Sequence, residues 1–495
     1  MTATLRISVC LTKKVNTGNC PPERSEGFSA MNINRSILKL AIPSILANIT
    51  VPLVGMVDIA VAGHLDTNAA TMIGGIAIGS MLFDLLYWNF GFLRVGTGGL
   101  AAQAYGAGDR KECARILTRA LGISLAIALL LIAIQWIFVK AAFLVVDCTP
   151  QVRELASRYF FVRIWAAPAT LSLMALKGWF IGMQDSVSAM VADITVNGMN
   201  IMMSFVLALG LTVGGNEIIK GMGFVGIAAG TVVAQWTGLF VSLLIVLLKY
   251  RRDTMSQLMA EDLRNLFRGG ETKRFFVMNA NLFVRSLCFI VIYIGFTVIS
   301  ARYGDTLLAV FSIMMKLLMI FSYFTDGFAY AGEALTGRYI GAKDALGLRR
   351  TVKWTFVWSL GLAVLFMGVY HFAGVPMLRM MTSDPVVVDA ARAFLPWLLL
   401  MPVVGCAAFT WDGIYIGATA SRQLRNSMIW AVVAFAGVWA VGILVLGLLT
   451  EKGTVAPQRY DGLAMHILMM AYFAHLLART VYLTLNARKS VINTI

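Results

Sequence analysis

Long apolar runs are the feature that most constrains the fold of this 495-residue chain. Hydrophobic residues make up 59% of the sequence and charged residues only 13%, a balance that water-soluble domains do not have. A run of about 20 apolar residues can cross the hydrocarbon core of a bilayer as a helix. We predict twelve such helices, at residues 36–62, 70–98, 114–139, 157–182, 187–212, 222–249, 275–300, 306–332, 350–374, 387–417, 424–449 and 461–487.

The continuity of these runs sets the fold class. The strands of a membrane β-barrel alternate between apolar and polar residues over short segments, so uninterrupted apolar runs exclude that architecture. The segments between the runs are too short for a large soluble domain. We therefore expect an all-α polytopic membrane protein with twelve transmembrane helices.

One stretch of the sequence occurs twice. Residues 100–109 read LAAQAYGAGD and residues 335–344 read LTGRYIGAKD, an offset of 235 residues. Two six-helix halves in the same orientation predict two pseudo-symmetric lobes that move around a site between them, which is typical of transporters. The same offset relates Pro150 to Pro385, Gly178 to Gly413, Ile181 to Ile416 and Gly182 to Gly417.

Domain boundaries follow from this repeat and from the polar segments around it. The first residues are polar and lack the apolar core of a signal peptide, so we expect a disordered tail or a start assigned too far upstream. The charged stretch between the halves predicts a short interfacial helix that breaks at Gly269 and Gly270. The predicted parts are a tail (1–30), a first lobe (31–250), a cytoplasmic linker (251–274) and a second lobe (275–490).

The net charge of +16 indicates topology rather than a nucleic-acid partner. Lys and Arg are concentrated in the loops on one side, which the positive-inside rule assigns to the cytoplasm together with both termini. The remaining basic charge favours contact with anionic lipid. We expect a monomer in the inner or plasma membrane, with the lipid bilayer and small organic molecules as its partners.

Asp58 is the clearest candidate for a coupling residue. It lies late in predicted helix 1, inside the run VPLVGMVDIAVAG, where a charge is costly and needs a function or a partner. A carboxylate there can exchange a proton or ligate sodium through oxygen, and the alternative is a structural pair with a buried Arg. Helix 5 carries a polar stripe on one face. These side chains can form a cation site together with Asp58, or they can hydrogen-bond to neighbouring helices and hold them together. The stripe consists of Asp193, Asn197, Asn200 and Ser204.

A second group of polar and aromatic residues suits a substrate cavity. Aromatic faces and carboxylates together recognise organic cations. The same charges can instead neutralise one another as structural pairs, so both readings stay open. The candidates are Asp84 and Trp88 in helix 2 and Tyr323, Asp326, Tyr330 and Glu333 on one face of helix 8.

The sequence does not contain the motifs of several common catalytic and nucleotide-binding sites. The sequence has no nucleotide-binding G-x-x-x-x-G-K-[ST] loop, no H-E-x-x-H and no G-x-S-x-G, and its four histidines are scattered. We therefore predict that the protein is not an enzyme and does not itself bind and hydrolyse ATP. No cofactor or bound metal is expected beyond H⁺ or Na⁺ as the coupling ion, with Asp58 and Asn200 as the possible sodium ligands.

Three motifs, in order, resemble the multidrug and toxic compound extrusion (MATE) transporters, in the DinF-like branch. They are FLRVGTGGLAAQAYGAGD (92–109), FSYFTDGFAYAGEALTGRYIGAKD (321–344) and WDGIYIGATASRQLRNSM (411–428). The resemblance covers about residues 31–490. It implies two six-helix lobes arranged as a V and the export of organic compounds in exchange for protons or sodium.

The resemblance also bears on the ion site. It implies that Asp58 and Asn200 belong to the cation site of the first lobe. Relatives often read N-x-x-x-D in helix 5, where this chain has Ser204 in place of the second carboxylate. The sodium-dependent branch carries a glutamate in helix 7 near Arg285, and this departure favours protons.

These observations lead to a secondary antiporter in which Asp58 couples the export of organic, cationic or amphipathic compounds to proton entry. The alternative is a flippase for lipid-linked precursors from the same broad superfamily. A flippase favours a cationic cavity for phosphates, which Arg163 and Arg285 allow and the buried acids disfavour.

Overall fold

The computed structural model describes residues 22–63, 65, 69–144, 146, 148–213, 216–252, 254–257, 270–382 and 384–495. Nearly all of these residues are helical. The α-helices are Pro22–Gly63, Ala69–Trp88, Phe92–Gly106, Arg110–Ala142, Pro150–Arg163, Ala167–Gly182, Ser186–Leu209, Phe224–Ile245, Gly270–Ala301, Asp305–Gly341, Ala345–Met381, Pro385–Arg392, Leu395–Gly417, Ser421–Glu451 and Tyr460–Ser490.

Twelve helical segments of the described chain are long and apolar enough to cross a membrane, which confirms the predicted fold class. We number them span 1 to span 12. They are Asn32–Ala62, Thr71–Gly106, Arg110–Ala142, Pro150–Gly182, Ser186–Leu209, Phe224–Tyr250, Thr272–Ala301, Thr306–Gly341, Ala345–Met381, Leu395–Gly417, Ser421–Glu451 and Tyr460–Ile492.

Some predicted helices are interrupted. Predicted helix 2 is two helices, because the chain turns at 89–91, where the Asn89 side chain donates to the Leu85 carbonyl at 2.7 Å. Predicted helices 4 and 10 each divide just before a proline near the start of their second part, Pro168 and Pro396. Proline lacks the N–H that a continuous helix needs, so it begins a new helical segment instead.

The loop between spans 5 and 6 also differs from expectation. Span 5 ends at Leu209 rather than 212, because Gly210 adopts φ 87° and turns the chain. A short antiparallel hairpin follows, in which Leu211–Val213 pairs with Asn216–Ile219.

Two predicted segments are partly described. The first helix begins at Pro22, inside the segment 1–30 that we expected to be a tail, and residues 1–21 lie outside the described residues. The interfacial helix expected in the linker 251–274 falls largely on residues 258–269, which also lie outside them. The helix of span 7 begins at Gly270, inside the predicted linker.

The sequence repeat is also a repeat of backbone geometry. Positive φ angles occur at Gly108 and Lys343, and again at Gln184 and Thr419, each pair being 235 residues apart. The helices that follow the first pair begin alike. The Asp109 carboxylate accepts from the Glu112 amide, and the Asp344 carboxylate accepts from the Gly347 amide, both at 2.8 Å.

The two halves meet through reciprocal glycine contacts. Gly106 packs directly on the Arg338 carbonyl, and Gly341 packs on the Gln103 carbonyl, so that a side chain at either glycine would collide with the backbone opposite. The Gln103 amide also donates to the Gly417 carbonyl at 3.0 Å. Close approach of this kind fixes the register between spans 2 and 8.

Buried apolar side chains divide into three groups, and the division shows where the halves separate. One core contains residues of both halves, among them Ile37, Leu100 and Leu335, at the end of the bundle that carries loops 107–109 and 342–344. Toward the other end, each half has its own core, one around Phe160 and one around Phe311. The halves are therefore joined at one end and separate at the other.

Candidate functional site

Asp58 is a buried carboxylate with one direct polar contact among the described residues. Its side chain is 6% exposed, and the Ser204 hydroxyl donates to Oδ1 at 2.9 Å. The positive charge of Arg163 attracts Asp58 electrostatically, without a direct contact between the two side chains. The Arg163 guanidinium donates instead to the Tyr159 hydroxyl at 2.9 Å and lies 4.9 Å from the centre of the Phe83 ring. Within the described part of the chain, Asp58 therefore forms no ion pair.

The other amides of the span 5 stripe bind neighbouring helices rather than Asp58 directly. Asn197 Nδ2 donates to Thr50 Oγ1 of span 1 at 2.5 Å. Asn200 Nδ2 donates to Thr231 Oγ1 of span 6 at 2.9 Å, while its Oδ1 is buried and has no hydrogen bond to a described residue. The stripe thus ties spans 1 and 6 to span 5 and leaves one amide oxygen available.

Asp193 does not join this group. Its carboxylate pairs with Lys177 Nζ of span 4 at 2.7 Å. Ser204 comes eleven residues after Asp193, which places the two side chains about 16 Å apart along the same helix face. The expectation that Asp193 belongs to the Asp58 cluster is therefore wrong. Because Asp193 and Ser204 lie on the same helix face, their side chains point in the same direction, but they lie at different depths in the membrane.

Residues of both halves form an aromatic and acidic group between spans 2, 7 and 8. The Trp88 ring contacts the rings of Tyr293, at 5.2 Å between centres, and Phe289, at 6.3 Å. The Tyr323 hydroxyl lies in the electrostatic field of both Asp84 and Asp326. Four of the predicted substrate residues, Asp84, Trp88, Tyr323 and Asp326, are thus brought to one place.

The last two predicted substrate residues have a different environment. Glu333 is fully buried, and its Oε2 pairs with Arg94 Nη1 at 3.2 Å. The Arg94 guanidinium also lies 4.4 Å from the centre of the Tyr330 ring. Glu333 therefore has a structural partner, as the alternative interpretation of these charges proposed, rather than facing an open cavity.

Asp412 is a buried acid that pairs with two arginines. Its Oδ2 accepts from Arg285 Nη2 at 2.5 Å and from Arg479 Nη2 at 2.6 Å. Arg285 thus acts as a counter-ion. We did not single out Arg479 or Lys177 from the sequence. A simple search for charges inside predicted helices finds both.

The described residues contain no group of three His, Cys, Asp or Glu side chains close enough to hold a metal ion. Among the described residues, the Ser204 hydroxyl is the group that contacts Asp58, and Asn200, four residues before Ser204 on the same helix, adds a neutral amide oxygen to this part of span 5. One carboxylate with neutral oxygens fits a proton or a weakly held monovalent cation.

Comparison with known proteins places these features in a family. The MatE family model matches residues 43–206 and 282–450. The chain is 35% identical over 405 residues to DNA damage-inducible protein F of Escherichia coli (strain K12), covering 81% of this chain and 84% of that protein. It is 25% identical over 425 residues to a probable multidrug resistance protein NorM of Photorhabdus laumondii, covering 84% and 87% of the two chains.

Solved structures with low sequence identity have the same fold. An outward-facing MATE family transporter of the MOP superfamily matches with a TM-score of 0.77 and 16% identity, covering 92% of this chain and 96% of that one. A MOP superfamily transporter from Pyrococcus furiosus, described as having a binding pocket of reverse polarity, matches with a TM-score of 0.74 and 17% identity, covering 93% and 96%.

Proposed function

Because this chain belongs to the MATE family of multidrug and toxic compound efflux transporters, we propose that it is a secondary antiporter that exports organic cations in exchange for protons. Asp58 is the coupling carboxylate of this proposal. The two lobes, 31–250 and 275–490, move around it and around the aromatic and acidic group between spans 2, 7 and 8.

The observation that carries the proposal is the environment of Asp58. A carboxylate that is 6% exposed and whose one polar contact with the described residues is a hydroxyl can gain and lose a proton without breaking an ion pair. A permanent pair with Arg163 would prevent this, and that guanidinium is held by Tyr159 instead. Proton and substrate are then coupled because each favours a different arrangement of the lobes.

Two features of the acids in this chain favour protons over sodium as the coupling ion. Ser204 provides a hydroxyl where related chains often carry a second carboxylate, so the site around Asp58 has a single negative charge. In the second lobe, Asp412 is occupied by Arg285 and Arg479 and is not free to ligate a cation. A hard cation such as sodium prefers a site with more oxygen ligands.

The substrate class follows from the aromatic and acidic group. Aromatic faces of Trp88, Tyr293 and Tyr323 lie with the carboxylates of Asp84 and Asp326. Ring faces and carboxylates together stabilise a bulky organic cation that has left water. A flippase for phosphate-bearing lipids would favour a site without acids, whereas this group contains the carboxylates of Asp84 and Asp326.

The orientation of the transport cycle follows from the basic loops. With both termini in the cytoplasm, the core shared by the two halves is on the cytoplasmic side, and the separate cores open outward. Asp58 then lies four residues from the outer end of span 1, within reach of external protons. We place the protein in the inner or plasma membrane as a monomer.

Transport by purified protein in proteoliposomes tests this proposal. An inward-directed proton gradient should drive ethidium out of the compartment that represents the cytoplasm, and a sodium gradient of equal size should not. Export driven by sodium alone would overturn the proton coupling. Movement of a fluorescent anionic lipid between leaflets without ethidium export would favour the flippase.

A further inference from the structure

Two basic side chains of the first half approach the same tyrosine of the second half. Arg94 of span 2 lies 4.4 Å from the centre of the Tyr330 ring, and Lys177 Nζ of span 4 lies 5.9 Å from it. Both cations therefore act on the face of span 8 that carries the substrate candidates. Cation–π distances of this size are attractive in a site without much water.

The positions of these cations are fixed by neighbouring acids. Arg94 is 17% exposed in its side chain and pairs with the fully buried Glu333 at 3.2 Å. Lys177 pairs with Asp193 at 2.7 Å. Gly98 packs against the Glu333 carboxylate, which allows that acid to lie directly on span 2. The side chains of Arg94 and Lys177 are thus held in place by ion pairs.

Asp326 is the acid that these cations face without binding it. It precedes Tyr330 by four residues, so the two side chains lie one above the other on the same helix face. Among the described residues it has no hydrogen bond and no ion pair. The charges that act on it are Arg94 and Lys177 from the first half and Asp412 and Arg285 from its own half.

We propose that Arg94 and Lys177 displace the substrate: they occupy the cation-binding face of Tyr330 and Asp326 when the lobes meet at the cytoplasmic end, and they withdraw when the lobes part there. This inference rests on the proposed export of organic cations. The cations belong to one lobe and the acid and ring to the other, so rocking of the lobes changes their separation.

The direction of this effect suits export. An exporter needs tight binding when its site faces the cytoplasm and weak binding when the site faces outward. In the arrangement described here, the lobes are joined at the cytoplasmic end and the two cations lie next to the site. Like charges repel an incoming or bound organic cation, so affinity is lowest where release must occur.

Binding of tetraphenylphosphonium to the purified full-length protein tests this role by equilibrium dialysis. Arg94→Gln should bind this cation about tenfold more tightly than the natural protein, because one repelling charge is gone. Lys177→Gln should have a smaller effect in the same direction. Asp326→Asn should bind at least about tenfold more weakly, and adding Arg94→Gln to it should restore little.

A second set of variants separates repulsion from loss of fold. Arg94→Gln leaves Glu333 buried without its partner, so Arg94→Gln with Glu333→Gln removes both charges together. Arg158→Gln is the matched control, because Arg158 pairs with Glu154 on an exposed surface. It should leave binding unchanged.

The transport assay gives a readout that a structural role would not produce. In proteoliposomes, the folded Arg94→Gln, Glu333→Gln variant should show a lower apparent KM on the cytoplasmic side and a lower maximal rate, because release becomes slow. Unchanged or weaker cation binding by this variant overturns the displacement role. Failure of the natural protein to export any organic cation instead overturns the proposed function.

Discussion

The carboxylates Asp58 and Asp412 lie in different halves of a duplicated scaffold and have opposite environments. Asp58 is held by one hydroxyl at 2.9 Å, whereas Asp412 accepts from two guanidinium groups at 2.5 and 2.6 Å. The first can change its charge at little structural cost. The second is fixed in the ionised state by its partners, and burial of the whole group demands that this pairing stay complete.

The difference suggests that duplication let the halves specialise. The position equivalent to Asp412 at the repeat offset is Lys177, which carries the opposite charge and pairs with Asp193. The position equivalent to Asp58 is Tyr293, which contributes a ring to the aromatic group. In the proposed mechanism, one half provides the coupling acid, whereas the other provides the ion-paired core around Asp412 and part of the proposed substrate surface.

Replacement of Asp58 should produce the largest change in transport. Asp58→Asn keeps the size of the side chain and a partner for Ser204, but the amide cannot exchange a proton. We expect the initial rate of proton-driven ethidium export in proteoliposomes to fall by about 100-fold or more, at equal amounts of folded protein. Ser204→Ala, which keeps the carboxylate, should reduce the rate far less. Full export by Asp58→Asn would remove Asp58 from the mechanism.

Replacement of Asp412 should act on stability instead. Asp412→Asn leaves Arg285 and Arg479 without their counter-ion in a buried site, which costs about 3–5 kcal/mol. The measurement is the thermal unfolding midpoint of the purified protein in detergent. Asp389→Asn is the control, since Asp389 pairs with Arg392 at 3.6 Å on an exposed surface and should change the midpoint little. A stable Asp412→Asn protein would mean that the two lobes do not differ in this way.

The contrast also explains what could be predicted from the sequence. Apolar runs report directly on the bilayer, so the twelve spans and the repeat were predictable. The contact between Asp58 and the span 5 stripe was predictable as well, because helical spacing put Ser204 on the right face. The Lys177–Asp193 pair was not, because spacing along one helix does not give the rotation and depth of the neighbouring helix.

The same limit applies to Asp412. Its position in an apolar run was visible, and so were those of Arg285 and Arg479, but the spacing of residues along each helix does not show that spans 7, 10 and 12 bring these three side chains together. The break in span 2 was missed for a local reason. Its residues are apolar enough to continue a helix, but the chain turns at 89–91, where the Asn89 side chain donates to the Leu85 carbonyl and Gly91 follows.

Adding a carboxylate next to Asp58 should change the coupling ion. Ser204→Asp places a second acid beside Asp58, and two adjacent carboxylates bind a hard cation better than one. We expect export driven by a sodium gradient to become detectable in proteoliposomes whose proton gradient is collapsed by an uncoupler. Ser204→Asn, of equal size but neutral, should remain insensitive to sodium. Insensitivity of the Asp variant would show that the charge at this position does not select the ion.

Replacement of Asp185, which caps the start of span 5, should have a smaller effect on stability, and this effect should depend on pH. Burial raises the pKa of this carboxyl, but hydrogen bonds from Lys249, Ser188 and Tyr250 outweigh burial and hold the pKa below its usual value of 3.8. A lowered pKa gives stability that is present above the unfolded value and lost as pH falls through the folded one.

Asp185→Ala should therefore lower the stability by about 1–2 kcal/mol at pH 7 through loss of the helix cap. The difference between the two proteins should be constant from pH 8 down to about pH 5 and narrow only below about pH 4. Unfolding midpoints measured across this range check the sign. A difference that grows as pH falls would contradict it.

The smallest expected effect lies at the equivalent helix start in the second half. Ala420 occupies the position of Asp185 at the repeat offset and offers no side-chain cap to span 11. Its backbone, with φ −84° and ψ 54°, is close to that of the capping residue Asp109, with φ −81° and ψ 84°. Ala420→Asp should raise the stability by about 1 kcal/mol, measured as the unfolding midpoint.

Ala420→Asn separates the cap from the charge. An asparagine caps a helix about as well as an aspartate, so equal gains from the two variants would assign the effect to the hydrogen bond. A larger gain from the aspartate would assign the excess to attraction by the exposed Arg422 and by the positive end of the helix. A lower midpoint in both variants would mean that the start of span 11 cannot take the geometry that span 5 uses, and the two lobes would then differ in backbone as well as in charge.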